Sequence, residues 1–404
     1  MSEVVKKNPQ TELIHAPRKA PQLISTVQPP LYRASTIIFN NTDALFNRHW
    51  TDVYDYSYGT HGTPTTFTLG DHIAQIEGGL YHLLAPSGLS AINLVNSCLL
   101  SQGDEVWVPD NIYGPNMEHL RNLQQRYGIA VKVYNPVEVE SFSPSDKAKL
   151  LWLEAAGSVT LEFPDLIGLV KKAQAHNILT ALDNTWGAGL AFNAFDFGED
   201  HLSVDLTVHA LTKYPSGGGD ILMGSVVTRD QKLHHQLFQM HAIQGICVSG
   251  DDTAQIQRSL ASMQLRYQQQ SQSALTLLNW LKQQKELVQV LHPADPDSAG
   301  HAYWKDICKE GHSAGLVSVI FDAQYNLNDI RAFCDALTLF KLGFSWGGPV
   351  SLVMLYNLRE MRVLEHKHLK QGLLVRFCIG LEHPDDLIQD IAQALQHLKQ
   401  HKNE

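Results

Sequence analysis

The middle of the chain alternates short apolar runs with an amphipathic helix, and this alternation limits the folds open to it. Lys149–Glu154 and Ile178–Asp183 have the composition of buried strands, and Pro164–His176 between them has helical spacing and opens with proline. Asp205–Ala210 follows as a further strand. Strands that alternate with helices build a parallel sheet from βαβ units. The pattern therefore predicts an α/β fold.

Three polar residues stand at the ends of these strands. Glu154 and Asp183 close the first two runs, and Lys213 follows the third by a few residues. In open parallel sheets, ligands bind beyond the carboxyl ends of the strands. We therefore expect these three side chains to surround one crevice.

The chain of 404 residues is longer than one hydrophobic core usually supports, so we expect more than one domain. Residues 1–62 are rich in Pro, Thr and Asn and predict an arm that contacts a neighbouring subunit. Residues 63–262 predict a large domain, and residues 263–404 predict a smaller α+β domain. The last region is predicted to contain two strands and a final amphipathic helix: Gly315–Phe321, Leu373–Ile379 and Pro384–Gln400.

Charge and hydropathy exclude several classes of protein. The formal net charge is −10, which disfavours binding to phosphate backbones. No run approaches the roughly 18 apolar residues of a membrane span, and the opening MSEVVKKNPQ lacks the apolar stretch of a signal peptide. We expect a cytoplasmic protein with a small-molecule partner, and neither nucleic-acid nor membrane binding.

Cysteine and histidine show no disulfide or metal-binding pattern. The five cysteines are scattered without a CxxC pair, and we expect reduced thiols packed in the interior. The pairs His234–His235 and His366–His368 have no accompanying set of cysteines or carboxylates, so we interpret them as surface helix residues. We therefore expect no metal site.

Two residues carry the clearest chemical signal. They are Asp183, in Ala181-Leu-Asp-Asn-Thr-Trp-Gly187, and Lys213, in His209-Ala-Leu-Thr-Lys-Tyr-Pro215. An enzyme that uses pyridoxal 5′-phosphate (PLP) needs a lysine that forms an imine with it and an acid that faces its pyridine nitrogen. Either residue alone is better explained as a turn cap or a surface lysine.

Ser87-Gly88-Leu89 strengthens this hypothesis because it opens a helix whose free backbone N–H groups can bind a phosphate. An ordinary helix cap has the same pattern. Thr212 offers a hydroxyl beside Lys213 for the same phosphate. Tyr113 can stack on a flat ring, or serve only as packing.

The ordered set of motifs resembles the Cys/Met-metabolism family of PLP-dependent enzymes, the cystathionine lyases and synthases. The motifs are Tyr58-Gly-Thr-His-Gly-Thr-Pro-Thr65, Ser87-Gly-Leu89, Tyr113-Gly114, Asp183-Asn-Thr-Trp186, Thr212-Lys-Tyr214, Ser345-Trp-Gly-Gly348 and Val375-Arg-Phe-Cys-Ile-Gly-Leu-Glu382. The resemblance implies the α/β fold of type I PLP-dependent transferases. Such a fold has a large domain around a mostly parallel seven-stranded sheet and a smaller α+β C-terminal domain. The resemblance also implies a homotetramer of paired catalytic dimers.

The resemblance implies specific roles in cofactor binding. Tyr58 is expected to reach the cofactor phosphate of the adjacent subunit, and Tyr113 to stack on the pyridine ring. Asp183 is expected to pair with the ring nitrogen. Gly88 and Leu89 are expected to give backbone N–H groups to the phosphate. Tyr58 and Tyr113 join Lys213 as candidate catalytic residues.

Substrate binding is implied for Arg376, Ser345, Trp346 and Tyr113. An arginine suits the substrate carboxylate because its planar fork makes two parallel hydrogen bonds. One departure affects the cofactor phosphate, since the family usually has arginine where this chain has Thr60, followed by His61. That change weakens phosphate binding or passes the contact to His61.

Within the family, Ser345–Gly348 most resembles the bacterial cystathionine β-lyases, which implies β-elimination to homocysteine, pyruvate and ammonia. Lys213 is then the base that removes the α-proton. Tyr113, with a pKa lowered by nearby positive charge, is a second candidate for proton transfer. A γ-lyase or a homoserine-ester sulfur transferase is the alternative, and a PLP-binding protein without catalysis is the third.

Overall fold

The computed structural model describes residues 8–18, 24, 26–48, 56–199 and 202–400. The helices are α1 (Pro9–Glu12), α2 (Thr42–Phe46), α3 (Pro64–Glu77), α4 (Gly88–Leu99), α5 (Gly114–Tyr127), α6 (Leu166–Ala175), α7 (Gln231–Ile243), α8 (Gly250–Ser259), α9 (Met263–Leu281), α10 (His301–Ile307), α11 (Leu327–Ala336), α12 (Leu358–Met361) and α13 (Pro384–Gln400). The strands are β1 (Tyr81–Ala85), β2 (Glu105–Pro109), β3 (Ala130–Tyr134), β4 (Ala148–Glu154), β5 (Leu179–Asp183), β6 (Leu206–His209), β7 (Gly224–Thr228), β8 (Leu287–Leu291), β9 (Leu316–Phe321), β10 (Lys341–Leu342), β11 (Leu352–Tyr356) and β12 (Leu374–Cys378).

A seven-stranded sheet forms the larger unit, with the order β1-β7-β6-β5-β4-β2-β3. Strand β7 is antiparallel to both of its neighbours, while β6, β5, β4, β2 and β3 pair in parallel. The predicted strands β4, β5 and β6 and the predicted helix α6 are all present. The expectation of a mostly parallel seven-stranded sheet is confirmed.

A five-stranded sheet forms the smaller unit, with the order β10-β11-β12-β9-β8. Only the pair of β10 and β11 is parallel. Leu387 and Ile391 of α13 belong to one buried cluster with Val319 of β9 and Phe377 of β12. The predicted final helix therefore covers the predicted strands with its apolar face.

The described residues before α3 contain the short helices α1 and α2 and a single antiparallel bridge between Thr36 and Tyr58. Parts of the predicted arm lie outside the described residues: 1–7, 19–23, 25 and 49–55. The division of the chain at 62/63 and at 262/263 stays a prediction. None of the helices in the described ranges has the length and apolar character that a membrane crossing needs.

The cysteines are free, but one of them is not interior. Cys308, Cys334 and Cys378 are buried and Cys98 is half-buried, whereas Cys247 is exposed. The expectation of interior thiols is wrong for Cys247, because it lies in the loop between α7 and α8.

The interpretation of the histidine pairs as surface helix residues is wrong for three of the four. His234 lies on the buried face of α7, where its Nε2 is 3.3 Å from the carbonyl oxygen of His82. His366 and His368 lie outside any helix, and each pairs with a carboxylate. Only His235 is an exposed helix residue.

Candidate active site

A crevice begins at the carboxyl ends of β4 and β5, as the strand pattern predicts. Glu154 ends β4, Asp183 ends β5, and the two residues are directly paired in the parallel register. Burial raises the pKa of Glu154 to about 8, and the negative charge of Asp183 adds to the rise. When two carboxyl groups lie side by side in a buried environment, the pair retains one proton, because two adjacent negative charges repel each other.

Asp183 is anchored through one of its oxygens. Oδ1 accepts hydrogen bonds from the Thr185 N–H at 3.1 Å and from the Thr185 hydroxyl at 2.5 Å. Burial raises the pKa of Asp183, although these two bonds oppose the rise. The carboxyl group is thus held in a fixed orientation at the carboxyl end of β5.

The amine of Lys213 lies in the same crevice, in the turn that follows β6. Nζ donates a hydrogen bond of 2.7 Å to the Ser345 hydroxyl and lies 5.5 Å from the centroid of the Trp346 ring. Burial, followed by the positive charge of Arg376, lowers the pKa of Lys213 to about 8. About a tenth of the amine is therefore unprotonated and nucleophilic at pH 7, far more than for an ordinary lysine.

Ser345 and Trp346 bring the smaller unit to this amine. Ser345 has a φ of 110°, an unusual conformation for a residue other than glycine. Trp346 is half-buried and packs edge-on against Tyr214, with 5.6 Å between the ring centroids. The turn therefore holds a hydroxyl and an aromatic ring on the open side of Lys213.

Arg376 is a buried cation on β12 of the smaller sheet. Its side chain contacts the Tyr356 ring, with the guanidinium carbon 5.4 Å from the ring centroid. The residue is 9% exposed, and its Nε has no hydrogen-bond partner among the described residues. A buried guanidinium without a carboxylate partner is costly, and a carboxylate ligand would relieve that cost.

Tyr113 stands before α5 at the mouth of the crevice. Its N–H donates a hydrogen bond of 2.6 Å to Glu154 Oε2. The pKa of Tyr113 is raised, first by burial and then by the negative charges of Asp183 and Glu154. The expectation of a lowered pKa is wrong, because these effects outweigh the positive charge of Arg376.

The predicted phosphate segment does open a helix. Ser87 caps α4 by accepting the Ser90 N–H at 3.0 Å, and Gly88 and Leu89 are the first helical residues. A Cβ on Gly88 would lie 2.6 Å from the Ala210 Cβ, so glycine permits the close approach of the two segments.

Thr212 is less available than the sequence suggests. Its hydroxyl donates to the Met223 carbonyl at 3.2 Å and accepts the Met223 N–H at 3.1 Å. The hydroxyl therefore links the lysine turn to the segment before β7, and only its second lone pair stays open to a ligand.

Tyr58, Thr60 and His61 lie in the segment that precedes α3. Tyr58 is 46% exposed, and Thr60 and His61 belong to the 3₁₀ turn Gly59–His61. His61 Nδ1 is 2.8 Å from the Ser57 hydroxyl, and burial lowers its pKa. His61 is therefore neutral near pH 7 and does not reproduce the charge of an arginine.

A buried pair behind Asp183 escaped the sequence analysis. Glu77 at the end of α3 lies 2.7 Å from His209 Nδ1 and also accepts the Thr207 hydroxyl. The positive charge that His209 carries when protonated lowers the pKa of Asp183, and the charge of Glu77 raises it. His209 opens the lysine motif, but nothing in the sequence near Glu77 indicates its partner.

Groups of three or more metal-ligating side chains are absent from the described residues. The crevice instead gathers an amine, a carboxyl group and a guanidinium whose Nε has no partner among the described residues. Such a set suits an organic ligand that carries a carbonyl and a carboxylate.

Comparison with known proteins agrees with this chemistry. Residues 10–396 match the family described as Cys/Met metabolism PLP-dependent enzyme. A cystathionine beta-lyase of Bordetella avium is 34% identical over 403 residues, which cover 98% of this chain and 99% of the relative. An L-alanine/L-glutamate racemase of Wolbachia pipientis is 30% identical over 396 residues, or 96% of each chain.

A solved structure extends the likeness to three dimensions. Cystathionine gamma synthase from Xanthomonas oryzae pv. oryzae superposes with a TM-score of 0.85 at 26% identity, covering 98% of this chain and 99% of that one. The chain belongs to the Cys/Met metabolism family of PLP-dependent enzymes, and its cofactor is PLP.

Proposed function

We propose that the protein is a PLP-dependent carbon–sulfur lyase that cleaves cystathionine by β-elimination, giving homocysteine, pyruvate and ammonia. The observation that carries the proposal is the amine of Lys213, which donates a hydrogen bond to Ser345 and is influenced by the charges of both Asp183 and Arg376. The cystathionine beta-lyase among the relatives supports the choice of reaction.

The residues of the crevice fit PLP. Lys213 would hold the aldehyde carbon, and Asp183 would face the ring nitrogen, since it accepts its two hydrogen bonds from described residues on Oδ1 alone. The N-terminus of α4 at Gly88 and Leu89, capped by Ser87, would hold the phosphate. Tyr113 would cover the ring face, and Thr212 would border the phosphate. Thr60 would border a neighbour's phosphate together with Tyr58.

Protein groups supply the remaining steps. PLP, when bound, provides the electron sink that stabilises negative charge at the substrate α-carbon. Arg376 would bind the α-carboxylate through two parallel hydrogen bonds. When Nζ is not bonded to the cofactor, Lys213 would take the α-proton on it, since its pKa near 8 suits a base at neutral pH. Ser345 would hold that amine in place, and Trp346 would exclude water from it.

The assembly is part of the proposal. We propose a homotetramer in which the arm of residues 1–62 contacts a neighbouring subunit. Tyr58 is 46% exposed, which suits a role at a neighbour's cofactor phosphate. The large domain would then span 63–262 and the small domain 263–404.

A keto-acid assay on purified protein tests the reaction. β-Elimination of cystathionine releases pyruvate, whereas γ-elimination releases 2-oxobutyrate. Homoserine esters supplied with a thiol test sulfur transfer, and L-alanine tests the racemisation named for the Wolbachia relative. Pyruvate as the main product is the expected result. Protein that binds PLP yet acts on none of these substrates would favour a role without catalysis.

Substitution of Lys213 tests the assignment of the amine. Lys213→Ala is expected to abolish keto-acid release and the visible absorbance of covalently bound PLP. Lys171→Ala is the matched control, because Lys171 lies on the surface and pairs with Glu199. Full activity of Lys213→Ala would refute the mechanism.

A further inference from the structure

Besides the hydrogen bond between Lys213 and Ser345, a further polar contact joins the two units beside the crevice. Arg362–His368, between β11 and β12, lies against the loops that follow β2 and β4. We call it the clasp segment. Asp110 accepts three hydrogen bonds from it, from the N–H of Val363 at 2.9 Å, the N–H of Leu364 at 3.1 Å and His366 Nε2 at 2.6 Å. The carboxyl group of Asp110 is therefore occupied by one segment of the smaller unit.

A second buried carboxylate binds the same segment. His368 Nε2 is 3.0 Å from Glu162 Oε1, and Arg362 donates to the Ser158 carbonyl at 2.9 Å and the Thr160 hydroxyl at 2.6 Å. Burial alone would raise the pKa of Glu162, but the hydrogen bond from His368 and the charge of Arg362 bring it to about 2. The contact is thus charged, although Arg362 Nε and His366 Nδ1 are buried without a hydrogen-bond partner among the described residues.

The loop Gly157–Glu162, which receives the clasp segment, also touches β9, the strand paired with the one that carries Arg376. Ser318 is paired with Arg376 across β9 and β12, and its hydroxyl donates to the Val159 carbonyl at 2.5 Å. The position of this loop is therefore tied to the position of the carboxylate-binding arginine.

The same loop reaches the other side of the crevice. Ser158 donates to Glu154 Oε1 at 2.5 Å, and Glu154 accepts the N–H of Tyr113. Val159 and Leu161 have φ values of 61° and 59°, which bulky side chains rarely adopt. Strained backbone persists where surrounding contacts determine it, and such strain clusters at functional sites.

We propose that the clasp segment is a positioning element that sets the separation of Arg376 from Lys213 and Tyr113. This inference rests on the proposed function in so far as Arg376 binds the substrate carboxylate. The carboxylate and the reacting carbon of an α-amino acid are neighbours, so a small displacement of Arg376 misplaces the α-carbon. Displacements of about 1 Å far from the chemistry cost about 100-fold in rate.

Glycine binding to the PLP-loaded protein tests the proposal, because glycine has the α-carboxylate and no leaving group. Its dissociation constant is read from the change in the visible spectrum of the cofactor. Asp110→Ala and His366→Leu are expected to raise it about tenfold, as expected for loss of a charged hydrogen bond. Bound PLP per chain should not change, since Lys213 and Asp183 lie outside the clasp segment.

His366→Gln is the conservative variant, because its amide N–H can still donate to Asp110, and it should keep the parental glycine affinity. His235→Leu is the matched control, since His235 is exposed on α7. Hydrogen exchange should become faster at Val363 and Leu364 in Asp110→Ala and His366→Leu alone. If Asp110→Ala does not accumulate, His366→Leu decides the outcome.

Two outcomes would overturn the proposal. One is parental glycine affinity in variants whose clasp segment exchanges faster. The other is a loss of bound PLP in step with the loss of glycine binding, since this marks general unfolding. If the unmodified protein binds glycine but releases no keto acid from any sulfur amino acid, the proposed lyase function is refuted. The proposal for the clasp segment is not affected by that result.

Discussion

Burial gives the ionisable residues of the crevice different tasks. Glu154 has a pKa raised to about 8 and stays protonated at neutral pH, which lets it bridge Ser158 and Tyr113 without adding a charge beside Asp183. Lys213 has a pKa lowered to about 8, so its unprotonated form is available. Burial thus keeps the carboxyl group of Glu154 uncharged and makes the unprotonated amine of Lys213 more available.

Glu154→Gln tests this view in cofactor-free protein. The pKa of Glu154 is higher in the folded protein than in the unfolded chain, so folding retains a proton between the ordinary carboxyl value and about 8. Stability from this group is full at low pH and is lost as pH rises through that window. The parent therefore loses stability as the pH rises from 5 to 8, and Glu154→Gln does not. The free energy of unfolding of Glu154→Gln should increase relative to that of the parent by up to about 1 kcal/mol for each unit that the pH rises.

Urea unfolding at several pH values measures the difference. Glu118→Gln is the control, because Glu118 is exposed on α5 and should leave the pH dependence unchanged. Parallel curves for the parent and Glu154→Gln would show that Glu154 is ionised in the folded protein.

At the scale of elements, the start of α4 depends on a close contact with the turn before Lys213. Gly88 approaches Ala210, and on the other side a Cβ on Gly224 would lie 2.4 Å from the Ser87 carbonyl oxygen. Glycine at both points lets β7 and the lysine turn pack against the helix N-terminus. The proposed phosphate site is therefore shaped by backbone contacts.

Gly88→Ala is expected to destabilise the protein by about 1–3 kcal/mol through overpacking, and to weaken PLP binding. The double variant Gly88→Ala/Ala210→Gly removes the methyl group that the new Cβ meets, so it should recover much of both losses. Thermal unfolding and PLP titration measure the two effects. Equal losses in the single and double variants would place the clash elsewhere.

A structural element can be predicted from the sequence when its cause lies in residues that are close together along the chain. The apolar runs of β4 and β5 mark strands because a strand buried on both faces needs apolar residues throughout. The pairing of Asp110 with His366 spans 256 residues and leaves no periodic trace. Ser345 falls within a recognised motif, yet its φ of 110° depends on tertiary packing. Sequence motifs therefore identify the candidate site residues, whereas the contacts that hold those residues in place are seen only in the folded structure.

At the scale of the whole molecule, the two proposed substrate anchors belong to different sheets. Lys213 follows a strand of the seven-stranded sheet, and Arg376 lies in the five-stranded one. Contacts between the two units are made by the Ser345 turn, the loop Gly157–Glu162 and the clasp segment. If both anchors hold the substrate, its placement depends on how the two units pack.

Mixing two inactive variants tests whether a neighbouring chain completes the site. Lys213→Ala and Tyr58→Phe are mixed after mild dissociation and reassociated. If Tyr58 acts on a neighbour's cofactor, each mixed pair has one intact site, and random exchange should restore about a quarter of the parental activity. Recovery no greater than the activity of the Tyr58→Phe protein alone would place Tyr58 in its own chain's site.

The location of Arg376 on a separate sheet has a consequence for redesign. If Arg376 binds the substrate carboxylate as proposed, lengthening the Gly157–Glu162 loop is expected to move that contact away from Lys213. Tyr113 is expected to shift as well, because Ser158 of the loop and the N–H of Tyr113 both bond Glu154. A loop that contributes no reacting atom would then influence how long a substrate backbone the site accepts.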